Sequence, residues 1–142
     1  MKKMLCFLSL VLLTISCQKK EEKKTCSKEK TFDMYQMSEM ASLMERMYAH
    51  NKQLRERIIN KDTTGKFPEF FNDIFTAKFT DESDNDAFFK ENAQKYIDAQ
   101  KLIYSDPNNL KKNYNDGLNA CITCHQGKCG GPIPRIKKLI IK

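Results

Sequence analysis

"NNLKKNYNDGLNACITCH", residues 108–125, carries its apolar side chains at helical spacing. Leu110, Tyr114, Leu118, Cys121 and His125 step by four, four, three and four. That period places all five on one face of an α-helix. The face that has to be buried therefore ends in a thiol and an imidazole. Gly117 lies inside this helix, where it costs about 1 kcal/mol relative to alanine and permits close approach of something flat. Ser105-Asp106-Pro107 stops the preceding helix and starts this one, because proline is tolerated in a first turn and not in an interior. Gly127, then Gly130-Gly131-Pro132, ends it.

The same period recurs upstream. From Thr31 to Lys61, Met37, Met40, Met44, Met47, Asn51, Leu54 and Ile58 form a narrow bundle-type seam on a long amphipathic helix. Asp62 to Lys66 ends it. Pro68 opens a shorter second helix, with Phe70, Phe71, Ile74, Ala77 and Phe79 as its apolar side. "TDESDND", residues 80–86, is a polar break with several N-cap candidates. A third helix follows, with Phe89, Ala93, Tyr96, Ile97 and Ile103 on one side. Few segments alternate with period two, so the fold expected is all-α, most economically one antiparallel four-helix bundle with short loops.

The N-terminus bears on the compartment. Lys2 and Lys3 precede an apolar run from Met4 to Ile15. That run is shorter than the roughly 20 residues a bilayer span needs, and reads as the core of a signal peptide. Thr14-Ile15-Ser16-Cys17 resembles a bacterial lipobox, with Thr14 in place of the usual leucine. Residues 1–16 are then a lipoprotein signal peptide, and Cys17 is the lipidated first residue of the exported chain. The alternative is an ordinary secretory peptide cut nearby. Residues 17–30 hold no apolar core and read as a charged, flexible tether. Lys20-Glu21-Glu22 resembles the surface-export signal of Bacteroidetes-type lipoproteins; a plain charged spacer explains it as well. The organisation expected is one domain, 31–126, and a Gly/Pro-rich basic tail, 127–142.

The formal charge of +7 resides mostly in the first 30 residues, and residues 31–142 carry only +2. No basic stripe for nucleic acid is present on the folded part. The anchor and basic tether point to a membrane partner.

Cys121-Ile122-Thr123-Cys124-His125 is the CxxCH pattern of c-type haem attachment. Two thiols one helical turn apart suit the two vinyl groups on one porphyrin edge, and the adjacent histidine reaches the iron from the proximal side. One covalent haem c is therefore expected, on the C-terminal helix of the bundle. Three rival readings exist. Cys121, Cys124, His125 and Cys129 make a tetrahedral zinc set, but from a span of only nine residues. A redox dithiol wants a βαβ context and a helix N-terminus, which this pair lacks. A plain structural disulfide is the third. With Cys6 lost in the leader, Cys17 lipidated and two thiols on haem, Cys26 and Cys129 remain as an even pair. They either bridge in an oxidising compartment or stay separate.

A helical bundle with CxxCH near its end resembles class II cytochrome c, the cytochrome c-prime group. The resemblance covers roughly residues 33–126, and CxxCH is its only specific motif. It implies that a helix 1 residue covers the distal face of the iron, methionine in low-spin carriers and an apolar blocker in high-spin members. The position lands near Met44, with Met40 and Met47 next. "GGPIPRIKKLIIK", residues 130–142, departs from the group, whose chains end soon after the histidine. "SEMASLMERMY" and "CITCHQGKCGGPIPRIKKL" together also look like small cytochrome lipoproteins of Bacteroidetes-type bacteria.

Methionines at this spacing equally serve as core filler, although a thioether suits haem iron and raises its potential. His50 lies well off the seam, leaving bis-histidine ligation a minor option. Arg46, Arg55 and Arg57 are candidates for a propionate or simply an exposed face. Tyr114 and Phe89 are expected to line the porphyrin or fill the core. No carboxylate pair or nucleophile–base set suggests an enzyme. The function expected is single-electron transfer in the cell envelope to a redox partner protein, with a homodimer implied by the class II relatives. The alternatives are a gas-binding or stress-protective high-spin haem protein, and a zinc or disulfide-stabilised structural lipoprotein.

Overall fold

The computed structural model describes residues 36–142. The leader, the lipidation site Cys17, the tether and Cys26 of the Cys26–Cys129 pair lie outside the described residues. Four α-helices follow in order: α1 Glu39–Asn60, α2 Ala87–Ser105, α3 Leu110–Gly127 and the short α4 Ile133–Lys137. Three 3-10 stretches, Glu69–Phe75, Glu82–Asp84 and Pro107–Asn109, sit between them, and no strand occurs among the described residues. The all-helical expectation holds.

α1 starts at a side-chain cap. Ser38 Oγ accepts from the Ala41 amide at 3.1 Å, satisfying a first-turn donor, and Lys61 ends the helix in the left-handed region with φ 60°. Met37 precedes the cap and is exposed, so it leaves the expected seam. Leu43 joins instead: Met40, Leu43, Met47, Asn51 and Leu54 are the buried positions of α1.

The second helix expected over 67–79 is a correction. Its centre is the seven-residue 3-10 helix Glu69–Phe75. The reason is a competing set of partners. The Met40 amide donates to Lys78 O at 2.9 Å and the Lys78 amide donates to Glu39 Oε2 at 3.1 Å. Both backbone groups of Lys78 are thus taken by the start of α1 and are lost to a helical ladder, so a single tight 3-10 stretch ends at Phe75. Phe71 and Ile74 are still buried as their spacing predicts.

α2 and α3 make the most extensive helix–helix contact. Asn113 Nδ2 donates to Leu102 O, Gly117 lies against Ala99 and Gln100, and Gly127 lies against Phe88. The numbers fall on one helix as they rise on the other, so the pair is antiparallel. Asp86 caps α2 through Oδ1 to the Phe89 amide at 2.8 Å, while its Oδ2 accepts from Lys128 Nζ at 2.7 Å. One carboxylate thus ties the start of α2 to the end of α3.

The C-terminal segment 127–142, expected as a trailing tail, is part of the folded body. Ile136 and Leu139 are buried with Leu54, Ile103, Tyr114 and Leu118. Asn115 holds Ile141 from both sides, Nδ2 donating to its carbonyl at 2.9 Å and Oδ1 accepting from its amide at 3.0 Å. Arg135 forms a two-pronged pair with Glu45 at 2.7 and 2.9 Å and lies over the Tyr48 ring. No described helix is long and apolar enough to cross a membrane.

Candidate functional site

A cavity opens where α1, α2 and the C-terminal half of α3 diverge. Its volume is about 190 Å³ and its mouth is open to solvent; the enclosed part is smaller than the roughly 300–1,000 Å³ of most ligand sites. Cys121, Cys124 and His125 line it from α3, and Met40, Met44 and Met47 line it from α1. These six residues reach one space from positions about eighty residues apart in the chain. Cys129 lines it as well. Ile74, Phe79, Phe89, Ala93 and Ala120 supply apolar wall.

The cysteine pair sits one turn apart on α3. Burial pushes the Cys121 thiol up to about 12, with the neighbouring Cys124 thiol adding to the effect. Cys124 is raised too, again chiefly by burial. Both thiols are therefore protonated at neutral pH, the opposite of the depressed pKa of a reactive redox dithiol. None of the three described cysteines is paired with another. No three His, Cys, Asp or Glu side chains among the described residues gather as a metal ion requires, which leaves the zinc set without its geometry.

His125 is oriented by the backbone of Cys129. Its Nδ1 lies 3.0 Å from the Cys129 carbonyl oxygen. A carbonyl only accepts, so Nδ1 carries the hydrogen and Nε2 keeps its lone pair. Such a second hydrogen bond orients metal-bound imidazoles generally. Desolvation lowers the His125 pKa, favouring the neutral, ligating form.

The three methionines differ in packing. Met40 and Met47 are buried members of the core cluster, whereas Met44 only packs against its edge and is half-buried. Met44 has the surface free to turn toward a ligand. His50 is elsewhere: its Nε2 is 3.2 Å from Tyr104 Oη, and its ring meets Phe70 and Phe71 edge-on. Arg46 lies over Phe70, Arg55 pairs with Glu56, and Arg57 reaches Thr64 O; none lines the cavity. Phe89 is in the wall, whereas Tyr114 fills the core at the opposite end of the body.

Sequence reasoning missed the polar members. Asn92, Tyr96, Asp84 and Lys128 line the cavity, and Lys128 is clamped by Asp86 at 2.7 Å and Asp84 at 3.4 Å. Asn92, Tyr96 and Gln100 recur every fourth residue on the buried face of α2. Two amides on an apolar face were the available signal. Behind them, Asn51 joins three helices: Nδ2 donates to Tyr96 Oη at 2.9 Å, Oδ1 accepts from Gln100 at 3.0 Å, and its carbonyl accepts from Tyr114 at 3.0 Å.

No family model, curated protein or solved structure matches this chain. The site's chemistry rests on its residues. Two protonated thiols on one turn, a neutral imidazole with its Nε2 free and facing thioethers are a donor set that fits a covalently bound haem.

Proposed function

We propose that this protein is a one-haem c-type cytochrome lipoprotein that carries single electrons in the cell envelope, related to the class II cytochromes. The observation that carries this reading is the convergence of Cys121, Cys124 and His125 with Met40, Met44 and Met47 on one apolar cavity. Haem c, when bound, supplies a one-electron iron couple. Cys121 and Cys124 would hold it by thioether bonds, and His125 would be its proximal ligand. Met44 would be the distal ligand, with Met40 and Met47 as packed neighbours.

The rest of the chain excludes water and limits reorganisation. Phe89, Ala93 and Ile74 give the cavity an apolar wall. The Nδ1 hydrogen bond fixes the imidazole plane at the end of a rigid helix. The arrangement is a bundle in which α1, α2 and α3 are three members and the 3-10 segment Glu69–Phe75 stands in for the fourth. Lipidation at Cys17 anchors the domain to a membrane through the 17–30 tether, within reach of a redox partner protein.

The test is an absorption spectrum of the mature chain made in a host with c-type haem maturation, oxidised, reduced and then exposed to carbon monoxide. A covalent haem with a low-spin spectrum indifferent to carbon monoxide is expected, and Met44→Ala turns it high-spin and reactive. Absence of covalent haem rejects the reading. Haem that binds carbon monoxide in the wild type instead identifies a gas-binding protein.

A further inference from the structure

The His125 imidazole takes its orientation from a carbonyl that its own helix does not hold. α3 ends at Gly127, and Lys128, at φ −123° and ψ −71°, has left the helical region. The Cys129 carbonyl that accepts from His125 Nδ1 therefore lies beyond the last turn, where no helical ladder fixes its direction. A bond to a group free to swing selects neither a tautomer nor a ring plane. Residues 127–129 have to be held from outside α3.

That hold comes from the start of α2. Lys128 Nζ is 2.7 Å from Asp86 Oδ2 and 3.4 Å from Asp84 Oδ1, and the lysine side chain is only 17% exposed. Asp86 is itself fixed, because its other oxygen caps α2 at the Phe89 amide. Gly127, one residue earlier, lies so close to the Phe88 ring that a Cβ there would come within 2.6 Å of it, so the ring blocks the turn on that side. Among the described residues Lys128 is the only cation paired with two carboxylates, and it stands immediately before the residue whose carbonyl meets His125.

Resting on the reading of His125 as a ligand, we propose that Lys128 is a positioning residue for it. Gripped by Asp84 and Asp86, Lys128 fixes the Cys129 carbonyl. That carbonyl keeps the His125 hydrogen on Nδ1 and leaves the Nε2 lone pair free. Lys128 touches no ligand in this role and acts through the backbone of its neighbour. The imidazole is then set only once α2 has docked on α3, so its geometry belongs to the folded body and not to the CxxCH segment.

The experiment reads the ring nitrogens of His125 by 15N NMR in the mature chain made without haem maturation, above the pH range of histidine protonation. The chain holds two histidines, and His50, bonded to Tyr104 rather than to this turn, is the internal control. In the wild type the Nδ1-protonated tautomer is expected to dominate at His125. Lys128→Met keeps the aliphatic stem and removes the ion pairs. The ratio of Nδ1–H to Nε2–H should then fall about fivefold, the worth of one ordinary hydrogen bond. Lys128→Arg, which keeps the charge and offers more donors, is expected to restore it. His50 stays unchanged throughout. A wild type without the preference, or a ratio that Lys128→Met does not move, overturns the proposal. An equal change at His50 overturns it too, since general loosening then accounts for both. Should Lys128→Met fail to fold, Asp86→Asn decides alone. Asparagine still caps α2 but drops the charge that grips Lys128, and the same fall is expected. Haem plays no part in this readout, so a chain that takes up no haem rejects the function proposed above while the tautomer ratio still decides the role of Lys128.

Discussion

The two ends of the helical body draw on the same three long helices and are packed in opposite ways. At one end Leu54, Ile103, Tyr114 and Leu118 are almost wholly inaccessible, and Ile136 and Leu139 seal them. At the other, Met40, Met47, Phe89, Ala93 and Tyr96 surround an open space. Asn51 stands between the two, bonded to Tyr96 on the open side and to Tyr114 on the closed side. Both ends hold a buried apolar cluster, and the cluster of Met40, Met47 and Phe89 is the one that borders the cavity.

Substitutions at the two ends put this contrast at risk. Leu118→Ala, in the closed end, is expected to cost about 2–5 kcal/mol in urea unfolding of the apoprotein. Met44→Ala, at the edge of the open end, should cost less than about 1 kcal/mol, because the side chain is only partly buried. Equal losses would dissolve the distinction between the ends.

The joint comes next. Asn51→Ala strips hydrogen bonds from Tyr96 and Gln100 at once, and about 1–3 kcal/mol is expected for buried partners left unmet. A double-mutant cycle with Gln100→Ala should show strong coupling; additivity would mean that the ends are independent. A smaller effect is expected at the lid of the closed end. Arg135→Ala removes an exposed ion pair with Glu45 and should cost no more than about 1 kcal/mol, since the burial of Ile136 and Leu139 holds this segment. A loss as large as that of Leu118→Ala would show that charge, not apolar contact, seals that end.

The smallest effect is that of pH. Burial, and then the Arg57 charge, hold the His50 pKa below its ordinary value of 6.5. The unfolded chain therefore binds more protons than the folded one in the window just below that value. Stability rises with pH through this window and falls as the solution is acidified. The urea midpoint of the apoprotein should drop modestly on going from neutral pH to just above the carboxylate range. His50→Gln should reduce the slope and leave the part due to His125, which shifts the same way. A slope unchanged by His50→Gln would place the whole dependence at the open end.

Much of this architecture was legible in the residues. The period of 3.6 marked α1, α2 and α3, because the apolar face of a helix is a local property of its own sequence. The spacing of Cys121, Cys124 and His125 is local in the same sense, two thiols and an imidazole within five residues. Two segments depart from the sequence expectation for the same reason, partners that only the folded body supplies. The segment 67–79 has helical periodicity, but the bonds of Lys78 to the start of α1 end its ladder at Phe75. The 127–142 segment looks like a basic tail, but Ile136 and Leu139 find a hydrophobic seat that only the packed helices create. Met37 dropped from the seam because the Ser38 cap starts the helix after it.

By itself, then, the sequence determined the helices, the attachment-type motif and the face on which it lies, since each depends on residues within a few turns of one another. The tertiary structure alone decided that Met40, Met44 and Met47 share a cavity with Cys121, Cys124 and His125. It alone decided that Met44 is the methionine least committed to the core, and that Asn92 and Tyr96 line the same space. Those facts require side chains from three helices to meet, and no local period encodes the distance between one helix and the next.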